Sequence, residues 1–154
     1  MSALAELFDL SGKWQGTNRL WLSPREPVRK SESLAEIRSI EQDQFSEICY
    51  SWAYEGQPQE GWLILGQETN HKVVKAVWFD TWHMRDQFMV CEGRVDDSGA
   101  VTVQGSYAAP PGPDWGWQIT IEPNEDDLFR ILMHNITPDG EKELAVEIPY
   151  SRVV

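Results

Sequence analysis

The sequence predicts an all-β protein, a single antiparallel barrel of about ten strands. Short β-type runs follow one another after Ser11, separated by turn chemistry such as Asp96-Asp97-Ser98-Gly99 and Pro138-Asp139-Gly140, with no helix-length segment between them. A Trp begins the first run and an Arg ends the last one, and a closed barrel brings its first and last strands together. The predicted runs lie near residues 12–22, 33–42, 45–55, 60–68, 72–82, 88–96, 100–108, 115–122, 128–136 and 143–153.

The segment before the first run has helical spacing. Leu4, Leu7 and Phe8 fall at i, i+3 and i+4, which predicts a short amphipathic helical turn over residues 3–9. In a barrel this turn is expected to close one end. The whole chain, residues 1–154, is predicted to form one domain.

Two longer loops interrupt the series of strands. Residues 23–31 are polar and contain two prolines, and residues 108–114 combine three prolines with a glycine. Both are candidates for the rim of an open barrel end. They could equally be ordinary connections.

Strand alternation gives each run an inner and an outer face. Lys75 marks the outer face of the fifth run, so its inner face holds Val74, Ala76, Trp78, Asp80 and Trp82. In the first run the inner set is Trp14, Gly16, Asn18, Leu20 and Leu22, and in the last run it is Leu144, Val146, Ile148, Tyr150 and Arg152. The ninth run leaves two choices, because Phe129, Ile131, Met133 and Asn135 alternate with Arg130, Leu132 and His134.

Trp14 and Arg152 are predicted to have a structural role. A guanidinium stacked on an indole, while it donates hydrogen bonds to backbone carbonyls, would close the bottom of the barrel. Replacing Arg152 is therefore expected to lower thermal stability more than ligand affinity.

Composition and charge exclude some functions. The net charge is −12, which disfavours binding to nucleic acid or to an anionic membrane. No signal peptide or membrane-spanning stretch is read, so a cytoplasmic protein is expected. Cys49 and Cys91 have no metal or redox spacing and are expected to be buried thiols. The load of eight Trp, four Tyr and five Phe suits a thick core or the lining of a pocket.

Several motifs carry a resemblance to known families. Gly12-x-Trp14 and the terminal Tyr150-x-Arg152 resemble the calycin pattern of lipocalins and fatty-acid-binding proteins, and ten strands favour the fatty-acid-binding or nitrobindin-like branch. The loop at 23–32 is too short and too polar for a helical lid, so the lipid chemistry of fatty-acid-binding proteins does not transfer.

A closer resemblance, to the bacterial family DUF1579, covers nearly the whole chain and implies a calycin-like barrel without a settled activity. It is carried by residues 12–16, Tyr50-Ser51-Trp52-Ala53-Tyr54, Asp80-Thr81-Trp82-His83-Met84, Cys91-Glu92-Gly93, Gly105-Ser106-Tyr107 and Pro113-Asp114-Trp115-Gly116-Trp117.

The leading functional hypothesis is a small-molecule binding protein. A ten-stranded barrel has room for a ligand unless large side chains fill it. An apolar or aromatic ligand would lie among aromatic rings, with Asp80 and His83 orienting it near the mouth. Alternatively, Asp80 only caps the turn, and His83 and Arg85 are exposed to solvent. The proposed lining is Trp52, Trp78, Trp82, Tyr107 and Trp117, and Trp115 is a further aromatic candidate.

Three alternatives remain open. The same barrel could be an enzyme in which Asp80 or His83 acts as acid or base on a small carbonyl or phenolic substrate. It could also be a structural or partner-binding barrel whose core the aromatic rings fill. If His134 faces inward it could ligate haem iron, as in nitrobindin-type barrels. Otherwise no cofactor is expected, and no metal site either, since His71, His83 and His134 lack zinc-like spacing.

Overall fold

Ten antiparallel strands form one closed barrel in the part of the chain that the structure describes. The computed structural model describes residues 9–40, 45–68, 73–125 and 127–154. The strands are β1 (Gly12–Leu20), β2 (Arg29–Ile40), β3 (Phe45–Tyr54), β4 (Gln57–Gln67), β5 (Val73–Asp80), β6 (Met89–Val95), β7 (Val101–Tyr107), β8 (Trp115–Pro123), β9 (Leu128–Ile136) and β10 (Lys142–Arg152). Each strand pairs with its neighbours in sequence, and β1 also pairs with β10.

The pairing of β1 with β10 closes the barrel. Their register runs from Trp14 opposite Arg152 to Leu20 opposite Val146. The prediction of an all-β antiparallel barrel is therefore confirmed, and the architecture is consistent with the calycin-like barrel that the resemblance implies. The described residues contain no helix. Apart from Asp9, the predicted helical turn over residues 3–9 lies outside the described residues.

Alternation places the predicted inner residues of β5 in the core. Val74, Ala76, Trp78 and Asp80 are all buried. Trp82 differs from the prediction because β5 ends at Asp80 and the following residues form a turn, where the two-residue period no longer applies. In β10 a bulge between Leu144 and Val146 also breaks the period, so that Ala145 and Val146 are both buried.

The structure shows which face of β9 points into the barrel. Phe129, Ile131 and Met133 are buried inside the barrel, so His134 lies on the outer face of β9. A haem ligand inside the barrel needs the opposite orientation. The alternative of haem bound through His134 is therefore wrong.

Trp14 and Arg152 meet at one end of the barrel, which we call the floor. The Arg152 guanidinium lies 4.3 Å from the centre of the Trp14 ring, and the indole Nε1 donates to Leu10 O at 2.8 Å. Arg152 also donates to the carbonyls of Ser11 and Asp9 at 2.8 and 3.1 Å. The stack thus ties the N-terminal segment to the last strand, in the geometry expected of a structural closure.

The barrel is filled close to the floor. Trp14 packs edge-on against Phe129 at 4.7 Å, and Phe129 stacks on Tyr150 at 4.8 Å. The Tyr150 and Ser33 hydroxyls lie 2.7 Å apart. Large apolar side chains are buried in the same core cluster, among them Ile37, Ile48, Leu63, Leu65, Ile119 and Ile121. Space for a ligand must therefore be sought at the other end.

The opposite end is the mouth. The connections after β1, β3, β5, β7 and β9 all emerge there, because successive strands alternate in direction. Both predicted rim loops lie at this end. The first is shorter than predicted, since β2 begins at Arg29, which pairs with Leu20. Residues 29–32 thus belong to the sheet.

Candidate functional site

The turn that follows β5 carries His83 at the mouth, and Asp80 holds that turn in place. One carboxylate oxygen, Oδ1, accepts hydrogen bonds from the backbone N–H groups of Trp82 at 2.9 Å and His83 at 3.0 Å. The Asp80 carbonyl accepts a third from Met84 N at 2.8 Å. An Asp at the start of a tight turn favours this local arrangement. The backbone around His83 is consequently fixed by the carboxylate.

The second carboxylate oxygen joins the turn to β3. Tyr50 Oη donates to Asp80 Oδ2 at 2.7 Å, and Trp52 Nε1 donates to the same atom at 3.1 Å. Trp78 Nε1 in turn donates to Tyr50 Oη at 3.1 Å. Burial and the neighbouring carboxylate raise the pKa of Tyr50, so the phenol keeps its proton and stays a donor. Four donors satisfy the buried Asp80.

The His83 ring lies in a cage of four indoles. Its centre is 4.7 Å from that of Trp82, 5.2 Å from Trp117, 5.6 Å from Trp52 and 5.9 Å from Trp78. Trp78 and Trp117 stack on each other at 5.4 Å. Burial lowers the pKa of His83, against the opposing effect of the Asp80 charge. The imidazole is thus neutral at pH 7. Its ring makes no hydrogen bond to a described residue.

We expect His83 to make stability depend on pH. Its pKa is lower in the folded chain than the ordinary value of about 6.5, so the unfolded chain binds the proton more readily. The contribution is fully present above about pH 6.5 and is lost as the pH falls below it. Urea unfolding at pH 7 and pH 5 should show a smaller loss in His83→Gln than in the wild type.

His134→Gln is the control for that comparison. Burial and nearby Lys142 also lower the pKa of His134, but this ring lies on the outer face. Its replacement should remove a smaller part of the pH dependence. An identical pH dependence in the wild type and His83→Gln would contradict the lowered pKa of His83.

A cleft of about 930 Å³ opens beside the cage at the mouth. Five of the predicted ligand-binding residues line it: Trp78, Trp82, His83, Tyr107 and Trp117. Tyr107 Oη donates to Asn135 Oδ1 at 2.6 Å, which fixes two polar groups in the wall. Trp52 and Asp80 do not line the cleft. They lie behind it and support His83 and Trp82.

Sequence reasoning missed part of the lining. The cleft is also bounded by residues of the loops and strand ends, namely Leu20, Trp21, Leu22, Gln59, Thr81, Met84, Arg85, Asp86, Gln87, Met89, Ala108, Asn135 and Ala145. The strand order could have indicated these residues before the structure was known. In an up-and-down barrel the connections after odd-numbered strands lie at the same end. Trp115 lies at the start of β8 and is not part of the lining.

No group of three or more His, Cys, Asp or Glu side chains within the described ranges is arranged to hold a metal ion. None of the described residues belongs to a helix long and apolar enough to cross a membrane. His71, one of the three histidines of the sequence, lies outside the described residues.

Fold and site together define a closed ten-stranded antiparallel barrel with a packed floor and an aromatic cleft at its mouth. A family model described as "Protein of unknown function (DUF1579)" matches residues 4–152. The chain belongs to this family. A comparison with curated proteins gave no match.

Proposed function

We propose that this protein binds a small, planar, apolar or aromatic molecule in the cleft at the barrel mouth. One observation carries the proposal: aromatic rings surround a neutral His83 whose ring nitrogens are unpaired among the described residues, beside a cleft of about 930 Å³. Binding sites for small molecules typically combine apolar walls with a few polar groups that fix orientation. Here Trp78, Trp82 and Trp117 supply the walls.

The groups next to the aromatic rings favour an uncharged ligand head, and the charged Arg85 and Asp86 border the cleft as well. The neutral imidazole of His83 can donate from one nitrogen and accept at the other. The Asp80 charge is already satisfied by four donors, and Tyr107 is paired with Asn135. A hydroxyl or carbonyl on an aromatic frame suits this arrangement, because it gains a hydrogen bond without bringing an unpaired charge into the cleft.

Tryptophan fluorescence can test the proposal directly. Titration with 2-naphthol should quench the emission in a saturable way, because Trp78, Trp82 and Trp117 border the cleft. His83→Gln should weaken binding by about threefold to tenfold, the worth of one neutral hydrogen bond. His134→Gln, on the outer face of β9, is the matched control and should bind like the wild type. No saturable change with 2-naphthol, or equal effects of both variants, would argue against this site.

A second candidate is an enzyme that uses the same cleft. The favouring observation is that His83 is neutral and lines the cleft, so it could accept a proton from a phenolic or carbonyl substrate. Asp80 is poorly suited to that role, because its oxygens already accept four hydrogen bonds and do not border the cleft. A catalyst would lose turnover by orders of magnitude in His83→Gln, whereas a binder would lose only part of its affinity.

A further inference from the structure

Arg85 is the one Lys or Arg among the described residues that border the cleft at the mouth. The residue is exposed, and it makes no ion pair or side-chain hydrogen bond with another described residue. By contrast, Arg29, which also lies at the mouth but not on the cleft, is paired with Glu55 at 3.0 Å. The cleft thus has a positive charge at its rim that nothing in the described chain neutralises by direct contact.

The backbone at Arg85 has a conformation that favours glycine. Its φ is 58°, in the left-handed region. Arg85 follows Met84 in a turn that Gln87 N closes by donating to Met84 O at 3.0 Å. A positive φ at the first central residue, without one at Asp86, is the pattern of a type II′ turn, where Gly is the usual residue. Because any side chain here costs free energy that Gly does not, the turn alone does not account for an arginine.

A guanidinium at this rim is suited to bind a carboxylate. Its planar fork can donate two parallel hydrogen bonds to the two carboxylate oxygens. The net charge of −12 repels anions in general, so an anionic ligand needs a local positive group of this kind. Asp86 also borders the cleft and opposes an anion, which makes its charge a second, opposite test of the same contact.

From the unpaired charge, its place on the cleft and its backbone conformation we infer that Arg85 selects ligands that carry a carboxylate. The ligand class is then an aromatic hydroxy acid. Its rings lie beside Trp78, Trp82 and Trp117, its hydroxyl meets His83, and its carboxylate meets Arg85 at the rim. This assignment rests on the proposed function, because it adds a second contact to the ligand of the same cleft. The carboxylate charge is paired there, so no unpaired charge enters the cleft.

Two probes that differ only in a carboxylate test the assignment. The ring system of 6-hydroxy-2-naphthoate is that of 2-naphthol with a carboxylate at its far end. In isothermal titration calorimetry at pH 7 and low salt, the wild type should bind 6-hydroxy-2-naphthoate about twofold to fivefold more tightly, the worth of one exposed ion pair. This preference should shrink at high sodium chloride, because salt screens an exposed pair.

Variants of the turn locate the contact. Arg85→Gly should abolish the preference for the carboxylate while changing the affinity for 2-naphthol little. It should melt at or above the wild-type temperature, because Gly adopts the left-handed conformation without strain. Asp86→Asn removes the opposing charge and should enlarge the preference.

Two further variants at the mouth are the matched controls. Glu55→Gly makes the same kind of change at another left-handed residue, with a φ of 49°, which does not border the cleft. Arg29→Ala removes one positive charge from the mouth, away from the cleft. Both should keep the preference for 6-hydroxy-2-naphthoate over 2-naphthol.

The outcomes distinguish this assignment from the proposed function. A preference that Arg85→Gly loses and both controls keep supports it. Saturable binding of both probes with equal affinity in the wild type would overturn it and leave the proposed function standing, whereas no binding of either probe would overturn both. A preference that Arg85→Gly keeps, or that Arg29→Ala loses as well, would also overturn it. So would an Arg85→Gly variant that melts lower and loses 2-naphthol, because Arg85 would then hold the turn.

Discussion

Asp80→Ala is expected to cause the largest loss of stability of any single change at the mouth. Asp80 is 1% exposed and accepts four hydrogen bonds, two of them from the side chains of Tyr50 and Trp52. Its removal leaves those donors without an acceptor and frees the turn that carries His83. Losing a buried charged group with its hydrogen bonds costs about 3–5 kcal/mol. That corresponds to a fall in melting temperature of roughly 10 °C for a domain of this size.

Near-UV circular dichroism should report the same change. The near-UV signal of the four tryptophans around His83 depends on fixed ring positions. Asp80 fixes both Trp52 and the turn that holds Trp82. We expect this signal to weaken in Asp80→Ala, together with binding of 2-naphthol. Asp80→Asn should have an intermediate effect, because its amide keeps one acceptor oxygen and turns a donor toward the other partners.

Asp96→Ala is the control for Asp80. Asp96 also caps a turn, through the backbone N–H groups of Ser98 at 2.8 Å and Ala100 at 3.1 Å, but it does so at the surface. Its loss should cost about 1 kcal/mol, the worth of an exposed cap. Equal melting temperatures for Asp80→Ala and Asp96→Ala would mean that the buried network does not stabilise the mouth.

Arg152→Ala should destabilise the barrel without changing the cleft. The guanidinium stacks on Trp14 and donates to two carbonyls of the N-terminal segment, and Arg152 Nε lies 2.8 Å from Asp127 Oδ1. We expect a loss of about 2 kcal/mol from the stacking and hydrogen bonds together. The melting temperature should fall by about 4–8 °C. The affinity for 2-naphthol should stay within twofold, about the error of such a titration, because the floor and the mouth are opposite ends of the barrel.

Arg29→Ala is the control for Arg152→Ala, because it also removes an arginine that lies over an aromatic ring, but not the one at the floor. Arg29 also lies over an aromatic ring, that of Tyr54 at 5.2 Å, and pairs with exposed Glu55 at 3.0 Å. Unlike Arg152, it donates no hydrogen bond to the Ser11 or Asp9 carbonyl. An exposed pair of this kind contributes less than about 1 kcal/mol. If Arg29→Ala and Arg152→Ala melted alike, the stack at the floor would have no special structural role.

Much of the fold was predictable from local sequence, because alternation and turn residues depend on near neighbours. Lys75 was enough to assign the faces of β5, and β5 kept that assignment up to Asp80. In β9 both faces contain apolar residues, with Leu132 on one and Ile131 on the other, so local sequence left the choice open. Packing inside the closed barrel decided it.

The candidate site was predicted in part, and the errors have a physical cause. The sequence analysis predicted Asp80 and His83 as a polar pair that faces a ligand. In the structure Asp80 does not border the cleft, and Tyr50 and Trp52 donate hydrogen bonds to it from β3. These donors are distant in sequence, and only the strand register brings them within reach. The one local sign was an Asp at the end of a strand, directly before a turn.

The sequence by itself determined the number of strands, their antiparallel order and the meeting of Trp14 with Arg152, because turn chemistry and closure follow from residues in chain order. Only the tertiary structure decided which end is filled and which is open, and what Asp80 binds. Those features arise where side chains from separate strands meet, and that depends on register and on the volume each side chain occupies within the closed ring.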